Sequence, residues 1–188
     1  MALWGVSDAD ESKPKYLTTA DKLNTIATAA GWVLKKTVGS RNLTELLVAA
    51  QGLATGIGQA DITDIDFVST AWDVSAGGTL SAKIIYNENV TVSGTPQLSV
   101  ANGNEGTGSG RGPHVLSYAS GSTTNELTFS IAYGAANAAI AAGDVLSVGA
   151  NATSLNGGTI VDTVGGGNAT ITSSAGIGTA AGSITAVA

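Results

Sequence analysis

The sequence predicts an all-β fold in which an extended arm and a β-hairpin precede a β-sandwich. Two observations predict it: apolar residues alternate over short segments, and turn residues separate these segments at intervals of roughly 8–12 residues. In 79–86, for example, Leu80, Ala82, Ile84 and Tyr86 share one face. About seven or more short strands without long helical runs are typical of a sandwich.

Residues 1–60 are predicted to differ from residues 61–188. Charged residues and Pro14 favour an extended arm over 1–20. Residues 20–29 are compatible with one or two helical turns, with Thr19 as N-cap. Residues 31–36 and 45–49 form the predicted hairpin, joined by a polar turn at 39–42. The three glycines of 51–60 predict a flexible joint and place the domain boundary after residue 60.

The predicted sandwich, residues 61–188, is built from short strands. In 126–133 the alternation puts Leu127, Phe129, Ile131 and Tyr133 on one face. Residues 135–142 are interpreted as a crossover loop. The predicted strands are 62–70, 79–86, 96–101, 115–119, 126–133, 145–148, 159–161, 169–172 and 183–187.

Composition and charge restrict the classes of function that the chain can have. Of 188 residues, 26 are glycine and only 12% are charged, whereas glycine is usually about 7% and charged residues about 25%. Residues 1–60 carry six basic and five acidic groups, and residues 61–188 carry two basic and nine acidic groups. Because nucleic-acid binders concentrate basic residues on one face, an acidic body argues against a nucleic-acid partner.

Sequence signals for secretion and membrane insertion are missing from the printed chain. It contains no cysteine, which excludes disulfides and thiolate metal sites. The acidic residues that follow the first seven positions interrupt any signal-peptide core, and no apolar run reaches the length of a membrane span. We therefore expect synthesis in the cytoplasm and no membrane partner.

No residue pattern predicts an active site. His114 is the sole histidine, which excludes a two-histidine metal site, and we interpret it as a loop residue. The glycine-rich run 106–112 lacks the Gly-Lys-Ser/Thr of a phosphate loop and is followed by Pro113. It is interpreted as a hairpin loop and an interaction tip. The sequence thus predicts neither catalytic residues nor a cofactor.

The acidic residues leave one kind of site open, a calcium-binding site. Asp64 and Asp66 would share a face of a strand near Asp61, which suits a hard cation. The spacing of an EF-hand is missing. Loop residues offer a second candidate set of ligands: Asp144, Asn151 and Asn156.

Three motifs of residues 62–173 resemble the immunoglobulin-like repeats of large bacterial adhesins. The first is LSAKIIYNENVTV at 80–92, continued by GTPQL at 94–98. The others are YASGSTTNELTF at 118–129 and LNGGTIVD at 155–162. The resemblance implies an immunoglobulin-like β-sandwich. Adhesin repeats usually occur in tandem, whereas this chain has one copy.

The head of the chain resembles small virion structural proteins of tailed phages, especially marine ones. The similar segments are MALWG at 1–5, KPKYL at 13–17 and AAGWV at 29–33. This resemblance implies a capsid decoration or cement protein on the exterior of the phage head. Its partners would be the major capsid protein and further copies of itself.

The expected contact residues follow from the same interpretation. Tryptophan is enriched at interface anchors, although packing within the hairpin is an equal alternative for Trp32. A tail or fibre component, and a carbohydrate-binding or host-surface adhesin module, remain alternatives to the capsid protein. The expected contacts are Leu3, Trp4, Tyr16, Leu17 and Trp32.

Overall fold

A computed structural model describes residues 13–103 and 111–188 of the chain. Strands take up 49% of it and helices 9%, which confirms the all-β prediction. The strands form a three-stranded sheet and a ten-stranded sheet, the larger curled into a half barrel.

The N-terminal unit, residues 13–58, begins with one short helix and one strand. Helix α1 (Thr19–Leu23) is capped by Thr18, whose Oγ1 accepts a hydrogen bond from the Asp21 amide at 3.1 Å. The predicted one or two helical turns are present, but the N-cap is Thr18 rather than Thr19, and the helix does not extend over the rest of 20–29. Strand β1 (Thr25–Thr28) takes over because its residues pair with the next strand, and tertiary pairing overrides a weak helix preference.

The predicted hairpin is confirmed. Strands β2 (Gly31–Val38) and β3 (Arg41–Ala49) are antiparallel. Gly39 has φ +62° in the tight turn at 39–40, as the first position of a primed hairpin turn requires. The register shifts near the other end, where Trp32 faces Val48 but Val33 faces Leu46. The extra residue is a β-bulge in β3.

A small core holds the N-terminal unit together. Helix α2 (Leu53–Gly56) lies where the sequence predicted a flexible joint. It packs beside Trp32, which is 2% exposed, in a cluster of buried apolar residues. The cluster consists of Ala27, Trp32, Leu53, Ala54 and Ile57.

The body, residues 60–188, carries the large sheet. Its strands are β4 (Ile62–Phe67), β5 (Trp72–Asp73), β6 (Gly78–Ser93), β7 (Gln97–Asn102), β8 (His114–Ser120), β9 (Thr124–Tyr133), β10 (Val145–Ser147), β11 (Thr153–Ser154), β12 (Thr159–Asp162) and β13 (Ser183–Val187). Neighbouring strands run in the order β12-β6-β9-β8-β7-β10-β13-β5, with β4 paired to β6 and β11 to β7. The helix α3 (Ala175–Ala180) lies near the end of the chain.

The core of the body follows the predicted alternation. Leu80, Ala82, Ile84 and Tyr86 of β6 are fully buried. In β9, Leu127 and Phe129 are fully buried as well, and Ile131 and Tyr133 pack against the same cluster. The inward faces predicted for these two strands are therefore confirmed.

Two predictions for the body need correction. Strand β6 runs to Ser93 rather than ending at Tyr86. The predicted strand 169–172 is wrong: the Ala169 and Thr170 amides bond to the carbonyls of Ile160 and Ala60 at 3.0 and 2.8 Å without forming a strand. Helix α3 follows, and the chain then returns to the sheet with β13.

A lysine joins the two units. Lys35 of β2 donates from Nζ to Asn125 Oδ1 at 2.9 Å and to Asn89 Oδ1 at 3.5 Å. Burial lowers the pKa of Lys35, and the charge of Glu126 partly offsets that effect. Since β1 also lies against β6, the N-terminal unit is fixed to the body through β1 and β2 and leaves β3 outside.

Because the N-terminal unit and the body have separate cores, we expect their local stabilities to respond to different substitutions. Trp32→Ala should destabilise the N-terminal unit by about 3–5 kcal/mol, because it leaves a cavity in a core of few residues. Amide hydrogen exchange should lose protection in β1–β3 and α2, while β8 and β9 remain protected. Phe129→Ala is the matched control and should lower protection throughout the body. Equal loss everywhere in Trp32→Ala would contradict two separate cores.

Candidate functional site

The expected contact residues occupy three different environments. Leu3 and Trp4 lie outside the described residues. Tyr16 is 72% exposed and Leu17 is half-buried, so Tyr16 remains available for a partner. Trp32 is enclosed in the small core, and its ring stabilises the hairpin from inside. Trp32 therefore packs within the hairpin, which is the alternative that the sequence left open beside a contact role.

The hairpin exposes apolar residues that the sequence analysis did not single out. Val38, Leu43 and Leu46 are 59%, 49% and 51% exposed. They lie at the tip of the hairpin and along β3, whose first six residues are all exposed. One sequence feature could have identified Leu43 and Leu46 as exposed: they lie in a strand that has polar residues on both of its faces.

Strand β3 is also an edge strand. It is the last strand of its sheet, and within the described residues it pairs only with β2. About half of its backbone amides and carbonyls therefore point away from the sheet. Proteins usually protect such edges with lysine, proline or a short strand. Strand β3 has nine residues and contains neither lysine nor proline; its protection is limited to the charges of Arg41 and Glu45 and to the bulge at its far end.

A second group of residues surrounds His114. This histidine opens β8 and is 2% exposed, so the loop interpretation is wrong. Its Nδ1 lies 2.9 Å from the Tyr133 hydroxyl. The fully buried Asp144 accepts from Asn102 Nδ2 at 2.7 Å and lies 3.3 Å from Arg111 Nε. The cluster joins β7, β8 and the turn before β10, and these bonds give it a structural role.

The predicted carboxylate set is divided by the fold. Asp64 is nearly buried and accepts from the Ile65 amide at 2.9 Å. Burial and the charge of Asp66 raise the pKa of Asp64. Asp61 instead accepts a hydrogen bond from Thr170 Oγ1. The three aspartates therefore do not converge on one point.

The second candidate set of calcium ligands is likewise separated. Asn151 Oδ1 accepts from the Ser173 amide at 3.1 Å, and Asn156 Nδ2 donates to the Thr95 carbonyl at 3.2 Å. Asp144 is engaged by Arg111 and Asn102. Over residues 13–103 and 111–188, no group of three or more acidic or histidine side chains has metal-binding geometry.

A different pair of acids, which sequence reasoning missed, is buried in the body. Glu88 of β6 is 1% exposed, and no donor group bonds to either of its oxygens. Its neighbour is the Asp162 carboxylate, with which it can share a hydrogen bond only when one of the two acids is protonated. Burial, the neighbouring Asp162 and, more weakly, Asp61 raise the pKa of Glu88 to about 9. Asp162 Oδ1 accepts from the amides of Val164 and Gly165 at 2.7 and 2.9 Å. The protonated Glu88 therefore lies beside a carboxylate stabilised by backbone donors.

The three motifs that resemble adhesin repeats meet at one end of the body. The Tyr118 amide donates to the Pro96 carbonyl, and the Tyr118 hydroxyl accepts from the Ser122 amide at 2.8 Å. Ser122 Oγ accepts from the Val92 amide at 2.9 Å. A Cβ at Gly94 would come within 2.8 Å of the Cα of Gly158. These motif residues close turns against one another, so their role is structural.

Comparisons with known proteins give no relative: no family model, no curated protein and no solved structure matches the chain. In the part of the chain that the structure describes, no helix is long and apolar enough to cross a membrane.

The buried Glu88 makes stability depend on pH. Because its pKa rises from 4.5 to about 9 on folding, the folded protein keeps a proton that the unfolded chain releases between these values. The free energy of unfolding should therefore fall as pH rises through this window, by at most about 1.4 kcal/mol per pH unit. Glu88→Gln should flatten the fall and unfold at higher urea than wild type at pH 8.

Urea unfolding from pH 5 to pH 9 measures this effect. Glu126→Gln is the control, because the Glu126 side chain is 43% exposed, and it should keep the slope of the wild type. An unchanged slope in Glu88→Gln would contradict a proton held on Glu88.

Proposed function

We propose that this chain is a non-enzymatic virion structural protein of a tailed phage, namely a decoration or cement protein on the head exterior. In this proposal the N-terminal unit binds the major capsid protein and other copies of the chain. The body is an immunoglobulin-like β-sandwich displayed outward.

The observation that carries the proposal is the contrast between the two units. Residues 13–60 contain six basic and two acidic side chains, and residues 61–188 contain two basic and nine acidic ones. The N-terminal unit exposes Tyr16 and the apolar hairpin. Aromatic and apolar side chains with a polar surround are typical of interaction sites.

The immunoglobulin-like assignment is supported by the convergence of the motifs. Residues of all three motifs form the same set of turns and hydrogen bonds around Ser93–Pro96, which is the behaviour expected of a shared framework. A shared framework does not fix a function, so the capsid role depends on the N-terminal unit.

Binding to heads tests the proposal. The material is undecorated heads of the phage whose genome carries the gene, incubated with the purified full-length protein. We expect saturable binding and heads that keep their DNA at higher temperature, since a ligand of the assembled shell stabilises that shell. Tyr16→Asp should weaken binding by about tenfold or more, because it puts a charge into a desolvated contact.

Val164→Asp is the matched control. Val164 is 47% exposed but belongs to the body, so its variant should bind heads like the wild type. Equal losses in both variants would contradict an anchor in the N-terminal unit. If the wild type binds isolated tails or host cells but not heads, the capsid role fails, and a tail, fibre or host-surface role replaces it.

A further inference from the structure

The outward hydrogen-bonding groups of β3 follow from the tight turn. A turn at 39–40 closes on a bonded pair, Val38 and Arg41. Bonded and non-bonded pairs then alternate along the hairpin, and the register has no shift from this turn to the pair of Val33 and Leu46. Asn42, Thr44 and Leu46 consequently direct their amides and carbonyls away from β2.

The turn and the bulge frame six regular residues, 41–46, and the first five of them, 41–45, are called the regular segment. The turn lies immediately before Arg41, and the register shift follows Leu46. A strand that pairs with this edge can use the regular segment without meeting either irregularity. Leu43 lies at its centre and is half exposed.

This segment is complementary to itself. When two copies of RNLTE run antiparallel with Leu43 facing Leu43, Arg41 of each copy lies opposite Glu45 of the other. Asn42 then faces Thr44, and these residues carry the outward backbone groups. Opposite charges and apolar residues that face each other stabilise a pair of strands.

Neighbouring registers lose this match. A centre on Asn42 places Leu43 opposite Arg41, and a centre on Thr44 places Leu43 opposite Glu45. Only the register centred on Leu43 joins both charge pairs and the leucines. The complementarity therefore favours an identical strand over an unrelated one.

We propose that β3 is the contact between two copies of this chain, which pair β3 to β3 in antiparallel orientation about a two-fold axis at Leu43. This inference rests on the proposed role of the N-terminal unit in assembly and names the partner of its free edge. The pairing joins the two three-stranded sheets into one sheet of six strands. Because few residues meet, a weak, concentration-dependent dimer is expected.

Cysteine cross-linking tests the register. The chain has no cysteine, so Leu43→Cys introduces the only thiol. In a non-bonded antiparallel pair, the Cα atoms lie about 4.5 Å apart, within the range that a disulfide spans. Mild oxidation of the full-length Leu43→Cys variant should give a cross-linked dimer with twice the mass of the 18.4 kDa chain. Under the same conditions and over the same time, Leu46→Cys should stay largely monomeric.

Leu46→Cys is the matched control because Leu46 is as exposed as Leu43 and lies on the same strand. In the proposed register, the two copies of residue 46 are about 20 Å apart along the strands. Equal cross-linking of both variants, or none of Leu43→Cys, would overturn the proposal.

A charge swap tests the partner residues without oxidation. Arg41→Glu places glutamates opposite glutamates, and Glu45→Arg places arginines opposite arginines, so each variant alone should be monomeric by native mass spectrometry. An equal mixture of the two should form a mixed dimer, because every charge pair is restored. The double variant Arg41→Glu/Glu45→Arg should dimerise like the wild type.

The controls separate this inference from the proposed function. All variants change exposed residues, and unchanged thermal unfolding verifies that they fold. Dimers without binding to heads would sustain the pairing and remove the capsid role. A different result would overturn the pairing and leave the capsid role in place. In that result the variants bind heads, none of them dimerises, and the mixture of Arg41→Glu and Glu45→Arg forms no mixed dimer.

Discussion

Strand β6 is the constraint on which the body depends, because three other strands use it as their partner. It pairs with β9 over its first half, with β4 on the other edge, and with β12 over Val90–Ser93. The ladder to β9 is interrupted between Ile85 and Val90. This interruption bends the strand and lets β4 and β12 occupy successive parts of one edge. A sheet that shares one long strand in this way curls rather than staying flat.

The interruption also explains where the buried acid lies. Residues 87–89 are Asn-Glu-Asn, and a side-chain group of Asn87 and a backbone group of Asn89 bond neighbouring segments at the bend. Asn87 Oδ1 accepts from the Asp61 amide at 2.7 Å, and the Asn89 carbonyl accepts from the Thr163 amide at 3.0 Å. Glu88 turns inward beside Asp162. Burying two charges together would cost several kcal/mol, and a proton on Glu88 removes that cost.

The sequence predicts the parts of the fold in which local pattern and burial agree. The alternation in β6 and β9 identifies the inward residues because each of these strands has one face toward the core. Prediction fails where tertiary contacts decide. Nothing local distinguishes β1 from a helix, and Trp32 looks exposed until α2 covers it. For the site, the pattern located the hairpin but not its free edge, because strand order is absent from local sequence.

The N-terminal unit is too small to be stable by its core alone. A three-stranded sheet over a handful of buried residues gains little burial for its ordering entropy. It therefore depends on the body through β1 and through the bonds of Lys35 to Asn89 and Asn125. These contacts use one side of the sheet. The opposite edge, β3, combines the length and the exposed leucines of an interface strand with two charges, Arg41 and Glu45, that match across a two-fold axis. Natural sequences depart from local consistency mainly where function demands it, and β3 is the clearest such departure in the described chain.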